Sequence, residues 1–174
     1  MTHDQILESD FYPITISSQE AKKLELELKT HPNKAMLHFK LAGFYFVKKL
    51  SLVEEIISII RPREDWLPKP FKRHEEHVLW LIGQIPDDPL MKWAYVRIYP
   101  EFNPTGYKKA KSLWLQKIDD DPKNLSLLSN AANFFEHANP NLAREILLRA
   151  LKLDKTNEDF LTRISKLKIR KTGA

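Results

Sequence analysis

Residues 125–157, LSLLSNAANFFEHANPNLAREILLRALKLDKTN, constrain the fold more than any other stretch of the chain. Leu128, Ala132 and Phe135 recur at helical spacing with Ala131 beside them, and after a tight polar turn Ala143, Leu147, Ala150 and Leu151 do the same. Each segment therefore carries one apolar stripe. Ala132, Ala143 and Ala150 are small where bulk would hold two helices apart, so the pair packs closely and antiparallel. Two short helices cannot bury such stripes alone, and the pattern demands stacked neighbours elsewhere in the sequence.

Those neighbours are traceable from four predicted helix endings, at Pro32, Pro86, Pro122 and Lys155. Eight residues before them stand Leu24, Val78, Trp114 and Leu147, and four before stand Leu28, Ile82, Ile118 and Leu151. Five residues after come Leu37, Met91, Leu127 and Phe160, and nine after come Leu41, Tyr95, Ala131 and Ile164. All sixteen are apolar. The endings lie 54, 36 and 33 residues apart, the last two close to the roughly 34-residue period of a helix-turn-helix array.

On these residues the chain resembles the tetratricopeptide repeat family, most closely over 125–157 and more weakly over 18–60 and 71–122. Its turn is one residue shorter than the family's, and Lys155 stands where the family usually has proline. The resemblance implies an all-α fold of antiparallel helix-turn-helix repeats, stacked as a short right-handed solenoid of about nine helices. It also implies a noncatalytic scaffold that binds a protein or peptide partner in a groove.

Composition allows this. A chain of 174 residues with 43% hydrophobic and 29% charged residues is long enough for a core of its own, and 4 glycines suit helices better than tightly turning strands. The absence of cysteine excludes disulfides, cysteine zinc sites and thiol catalysis. MTHDQILESD does not read as a signal peptide, and no segment reaches the roughly 20 apolar residues of a membrane span. Cytoplasm is the expected setting. The net charge of +5 equals the charge of Arg163, Lys166, Lys168, Arg170 and Lys171. A nucleic-acid reading would therefore rest on the C-terminal end alone, since the remaining charges balance.

Taken in order, residues 1–16 read as an extended arm and 17–169 as the repeat domain. Capping boxes at Ser17–Glu20 and Ser51–Glu54 predict helix starts, each pairing a hydroxyl and a carboxylate with free backbone N–H groups. The second box would separate a helix ending near Lys48–Lys49 from another running through Ile60. RPREDWLPKP, 61–70, is a proline-rich connector that no helix can cross. Asp88-Pro89, Asn103-Pro104 and Asn139-Pro140 repeat one device, an acceptor side chain before a proline whose missing donor costs nothing in a first helical turn. A last helix over about 157–169 and a basic tail, 170–174, follow.

Few residues suggest chemistry. His74-Glu75-Glu76-His77 places its histidines at i and i+3 rather than i and i+4, so it reads as a solvated helix face and not as a zinc site. Asp119-Asp120-Asp121 lacks the glycine and terminal glutamate of a calcium loop and reads as a turn between repeats. Trp80, Trp93 and Trp114 read as packing. No metal, cofactor or catalytic residue is expected. An enzyme with a dispersed site, or nucleic-acid binding through the tail, are the alternatives.

The more informative residues are Ser126, Ser129, Asn130 and Asn133, which lower helix propensity beside the stripe of Leu128, Ala132 and Phe135. The resemblance places such positions on a concave groove. There Asn130 and Asn133 would pair with a partner's extended backbone, with Arg97 and Trp93 as companions. On that reading, replacing both asparagines by alanine weakens a partner's binding and leaves folding intact.

Overall fold

The computed structural model describes residues 16–56 and 69–167, and the side chains of these except 49–56. The expected arm (apart from Ile16), most of the connector 61–70 and the tail 170–174 lie outside the described residues. Seven α-helices and no strand occur among the described residues. They are α1 (Ser18–Thr30), α2 (Ala35–Ile56), α3 (Lys69–Gln84), α4 (Pro104–Asp120), α5 (Leu125–Phe135), α6 (Pro140–Leu153) and α7 (Glu158–Lys166). Between α3 and α4 the chain forms two 3-10 turns, Pro89–Lys92 and Ala94–Val96. No helix among the described residues is long and apolar enough to cross a membrane.

The caps follow the sequence closely. Ser17 Oγ accepts from the N–H of Glu20 at 3.1 Å, Asn103 from Gly106 at 2.8 Å, and Asn139 from Leu142 at 3.2 Å. Asn124 and Asn157 do the same for α5 and α7, accepting from Leu127 at 3.1 Å and Phe160 at 3.2 Å. Each satisfies an N–H that the first turn leaves without an intrahelical acceptor.

Two expectations about helix count are corrected. α2 runs unbroken past Ser51 to Ile56, because a capping-box pattern marks a possible start and Lys48-Lys49-Leu50 contains neither glycine nor proline to stop the preceding helix. Asp88-Pro89 opens a 3-10 turn instead of an α-helix. Asp88 does cap it, accepting from Leu90 at 2.8 Å, but the backbone turns extended at Trp93 and again at Arg97. The expected nine helices become seven among the described residues.

α2 is apolar almost all round because it is covered on two sides. Leu41, Phe44 and Tyr45 face α1, where Ala21 is the residue buried, while Phe39 and Ala42 belong to the main core. That core continues through Val78, Leu81 and Ile82 of α3, Ala110, Trp114 and Ile118 of α4, and the stripes of α5 and α6, to Phe160 of α7. Ile16 touches both clusters. Packing is most extensive between α2 and α3 and between α5 and α6, and each helix rests on the helices next to it in sequence.

A buried polar joint fixes α3 against α4. Glu75 accepts from Asn103 Nδ2 and from Lys109 Nζ, both at 2.8 Å. A Cβ on Gly106 would lie 2.4 Å from Asn103 Nδ2 and 2.7 Å from Glu75 Oε2, whereas one on Gly83 would meet nothing within 4 Å. Both glycines are helical, so the two alanine variants separate propensity from packing. Gly83→Ala is expected to stabilise by about 0.5–1 kcal/mol. Gly106→Ala is expected to destabilise by about 1–3 kcal/mol despite the same propensity gain, since it wedges apart a buried hydrogen bond. Urea denaturation of the two variants measures both signs.

Candidate partner-binding face

Asn130 and Asn133 sit one turn apart on α5, on the side that meets the non-helical crossing between α3 and α4. Asn130 is only 1% exposed, and its Nδ2 donates to the carbonyls of Pro86 and Asp88, each at 3.0 Å. Asn133 Nδ2 donates to Lys92 O at 2.9 Å and Met91 O at 3.5 Å, while its Oδ1 accepts from Arg97 Nη2 at 2.6 Å. The backbone that these amides bond is the chain's own, a turn and the 3-10 segment Pro89–Lys92. This corrects the expected geometry, in which both amides stood open at a groove. Leu90, Met91, Val96 and Ile98 of the crossing are core residues, so the segment is held in place by its side chains as well.

The other expected site residues divide. Ser126 is exposed. Trp93 is half-buried and lies flat along Tyr95, with ring centroids 6.2 Å apart. Arg97 is half-buried, and its Nε is buried without an acceptor among the described residues. Ser129 is engaged by Arg163 from α7: Nη1 donates to Ser129 Oγ at 2.8 Å and Nη2 to Ser129 O at 3.0 Å. Arg163 Nε also donates to Glu136 at 2.7 Å, and Nη1 meets Asp159 at 3.3 Å. One of the five charges assigned to a free basic end is thus a clamp between α7 and α5.

The His74-Glu75-Glu76-His77 run overturns its solvated reading. His74, Glu75 and His77 are buried and only Glu76 is exposed, because α3 is packed between α2 and α4. His74 Nε2–H donates to Tyr95 O at 2.7 Å. His38 of α2 approaches His77 with 3.1 Å between their Nδ1 atoms and puts its Nε2 3.0 Å from Pro32 O. A carbonyl only accepts, so His38 carries its proton on Nε2 and offers the Nδ1 lone pair to His77 Nδ1–H. His77 Nε2 is left bare and buried, with no partner among the described residues. His38 also stacks on Trp80 at 3.8 Å, and Tyr45 O–H donates to Glu25 beside the pair.

Burial of this cluster sets its titration. Loss of solvent, with the charges of His38 and Arg73 as lesser causes, pushes His77 down to about 3. Burial also lowers His38, against its bond to the Pro32 carbonyl. Burial first, then the Glu25 carboxylate, holds the Tyr45 phenol above its ordinary value. The paired imidazoles spend their Nδ1 atoms on each other. No group of three or more His, Asp or Glu side chains converges as a metal site among the described residues. Asp121 accepts from Asn124 Nδ2 at 3.1 Å in the turn before α5, and Trp114 is fully buried.

The pairings of Glu75 with Asn103, Arg163 with Ser129 and Glu136, and His38 with His77 went unread in the sequence because these partners lie 27 to 39 residues apart. Compared with family models, with curated proteins and with solved structures, the chain has no significant match.

The histidine pair makes stability depend on pH. The unfolded chain protonates His77 near 6.5 and the folded chain near 3, so between these values the unfolded state holds more protons. The contribution of the neutral pair is complete above the unfolded value and is lost as pH falls toward the folded one, at up to about 1.4 kcal/mol per pH unit per histidine. Urea denaturation from pH 7.5 to 5 is expected to show this fall. His77→Gln, whose amide can still donate to His38, is expected to reduce the slope by about one proton.

Proposed function

We propose that the chain is a noncatalytic protein-interaction scaffold, built as a short right-handed stack of tetratricopeptide-like helix pairs and working in the cytoplasm. The observation that carries this reading is the order of packing: each helix rests on its neighbours in sequence, in keeping with the repeat-like stripes read over 125–157. Such a stack presents long lateral faces, and its rigidity comes from joints between successive helices. α7 lies on α6 as the first helix of a further pair would. The engagement of Arg163 by Ser129 and Glu136 reduces the charge open to nucleic acid, which favours a protein partner over the alternative.

The test is capture from the source lysate with the purified chain, followed by cross-linking and mass spectrometry. A stoichiometric protein whose cross-links fall on the helical faces is the expected result. Recovery of nucleic acid alone, released by nuclease, would replace the reading with the alternative.

A further inference from the structure

The face of α6 turned away from its core stripe is an open groove of about 560 Å³, lined by Leu148, Leu151, Arg149, Lys152, Lys155 and Glu145. Ala143, Ile146, Leu147 and Ala150 bury the opposite side. Leu151 reaches the core, while Leu148 lies outside it. All the lining residues but Lys155 come from one helix, so the floor is an apolar strip that no second helix lines among the described residues.

Its border is strongly one-signed. Arg149, Lys152 and Lys155 form no ion pair among the described residues, and Glu145 is the one acid. Some cations elsewhere are answered, Lys109 by Glu75, Arg73 by Glu76 and Arg163 by Glu136, and what sets this face apart is that its three cations flank an apolar strip on one helix. Leucines at i and i+3 with cations on the adjoining turns are the complement of an amphipathic helix whose apolar stripe is flanked by carboxylates.

Resting on the scaffold reading, we propose that this face of α6 docks an acidic amphipathic helix of a partner protein. The helix lays its apolar stripe over Leu148 and Leu151 and sets its carboxylates against Arg149, Lys152 and Lys155. It occupies the position that a further helix of the stack would take. Apolar contact supplies most of the affinity, and the cations select an acidic partner and speed encounter.

The probe is a synthetic helical peptide with leucines at i, i+3, i+4 and i+7 and glutamates flanking them. It is titrated into the 15N-labelled full chain beside a version with lysine for glutamate and a scrambled version. The expected result is shifts confined to residues 145–155 and their neighbours, with binding that weakens as salt rises. Arg149→Glu with Lys152→Glu should weaken binding about tenfold or more at an unchanged melting temperature. Equal binding by the lysine or scrambled peptide, shifts centred elsewhere, or no shift at millimolar peptide would overturn the proposal. Sedimentation of the free chain covers the remaining occupant: concentration-dependent dimerisation abolished by Leu148→Glu would assign the face to a second copy instead. If the double variant still captures the same lysate partner with cross-links on other helices, the scaffold reading stands and this docking site falls.

Discussion

Packing a segment that is not α-helical against a core leaves backbone groups that other residues must satisfy. The crossing from Pro86 to Asn103 carries Leu90, Met91, Val96 and Ile98 into the core, and several of its carbonyls are partly buried beside them. A buried carbonyl left without a donor costs free energy comparable to a lost hydrogen bond. Three side chains from flanking helices answer this: Asn130 at Pro86 and Asp88, Asn133 at Met91 and Lys92, and His74 at Tyr95. The crossing satisfies part of its backbone itself, Met91 N–H to Asp88 O and Val96 N–H to Trp93 O among these bonds, and α3 and α5 supply further donors to its carbonyls.

That requirement explains where the sequence was legible and where it was not. Apolar period and caps depend on residues within a few positions of one another, so the stripes of α5 and α6 and the starts at Ser17, Asn103 and Asn139 could be read directly. The polar residues depend on partners far along the chain. Asn130 and Asn133 stand out in the sequence because asparagine costs helix propensity, but nothing local says whose backbone they hold. His74, Glu75 and His77 have the composition of a surface run. Only the packing of α3 between two helices shows that they are interior, and no pattern within the run distinguishes the cases.

The buried polar joints also order the stack. Glu75 with Asn103 and Lys109 ties α3 to α4, His38 with His77 ties α2 to α3, and Arg163 with Ser129 and Glu136 ties α7 to α5. Apolar stripes alone tolerate sliding, because dispersion and the hydrophobic effect have little direction. Directional bonds between named side chains fix one register. On the proposed scaffold reading such a fixed register would hold the spacing between helices constant for a partner, and the joints leave Arg149, Lys152 and Lys155 of the outward α6 face outside any ion pair among the described residues.

The central claim is that the asparagines of α5 are structural, holding the chain's own crossing. Urea denaturation of Asn130→Ala beside Ser126→Ala tests it most directly, because both changes remove a polar side chain from α5 and raise helix propensity. Loss of the two bonds from Asn130 leaves the part-buried Pro86 carbonyl without that donor and the Asp88 carbonyl with the Met91 N–H, and the account expects Asn130→Ala to lose about 1–3 kcal/mol while Ser126→Ala stays within about 0.5 kcal/mol of the parent. Equal, near-zero effects in the two variants would contradict it.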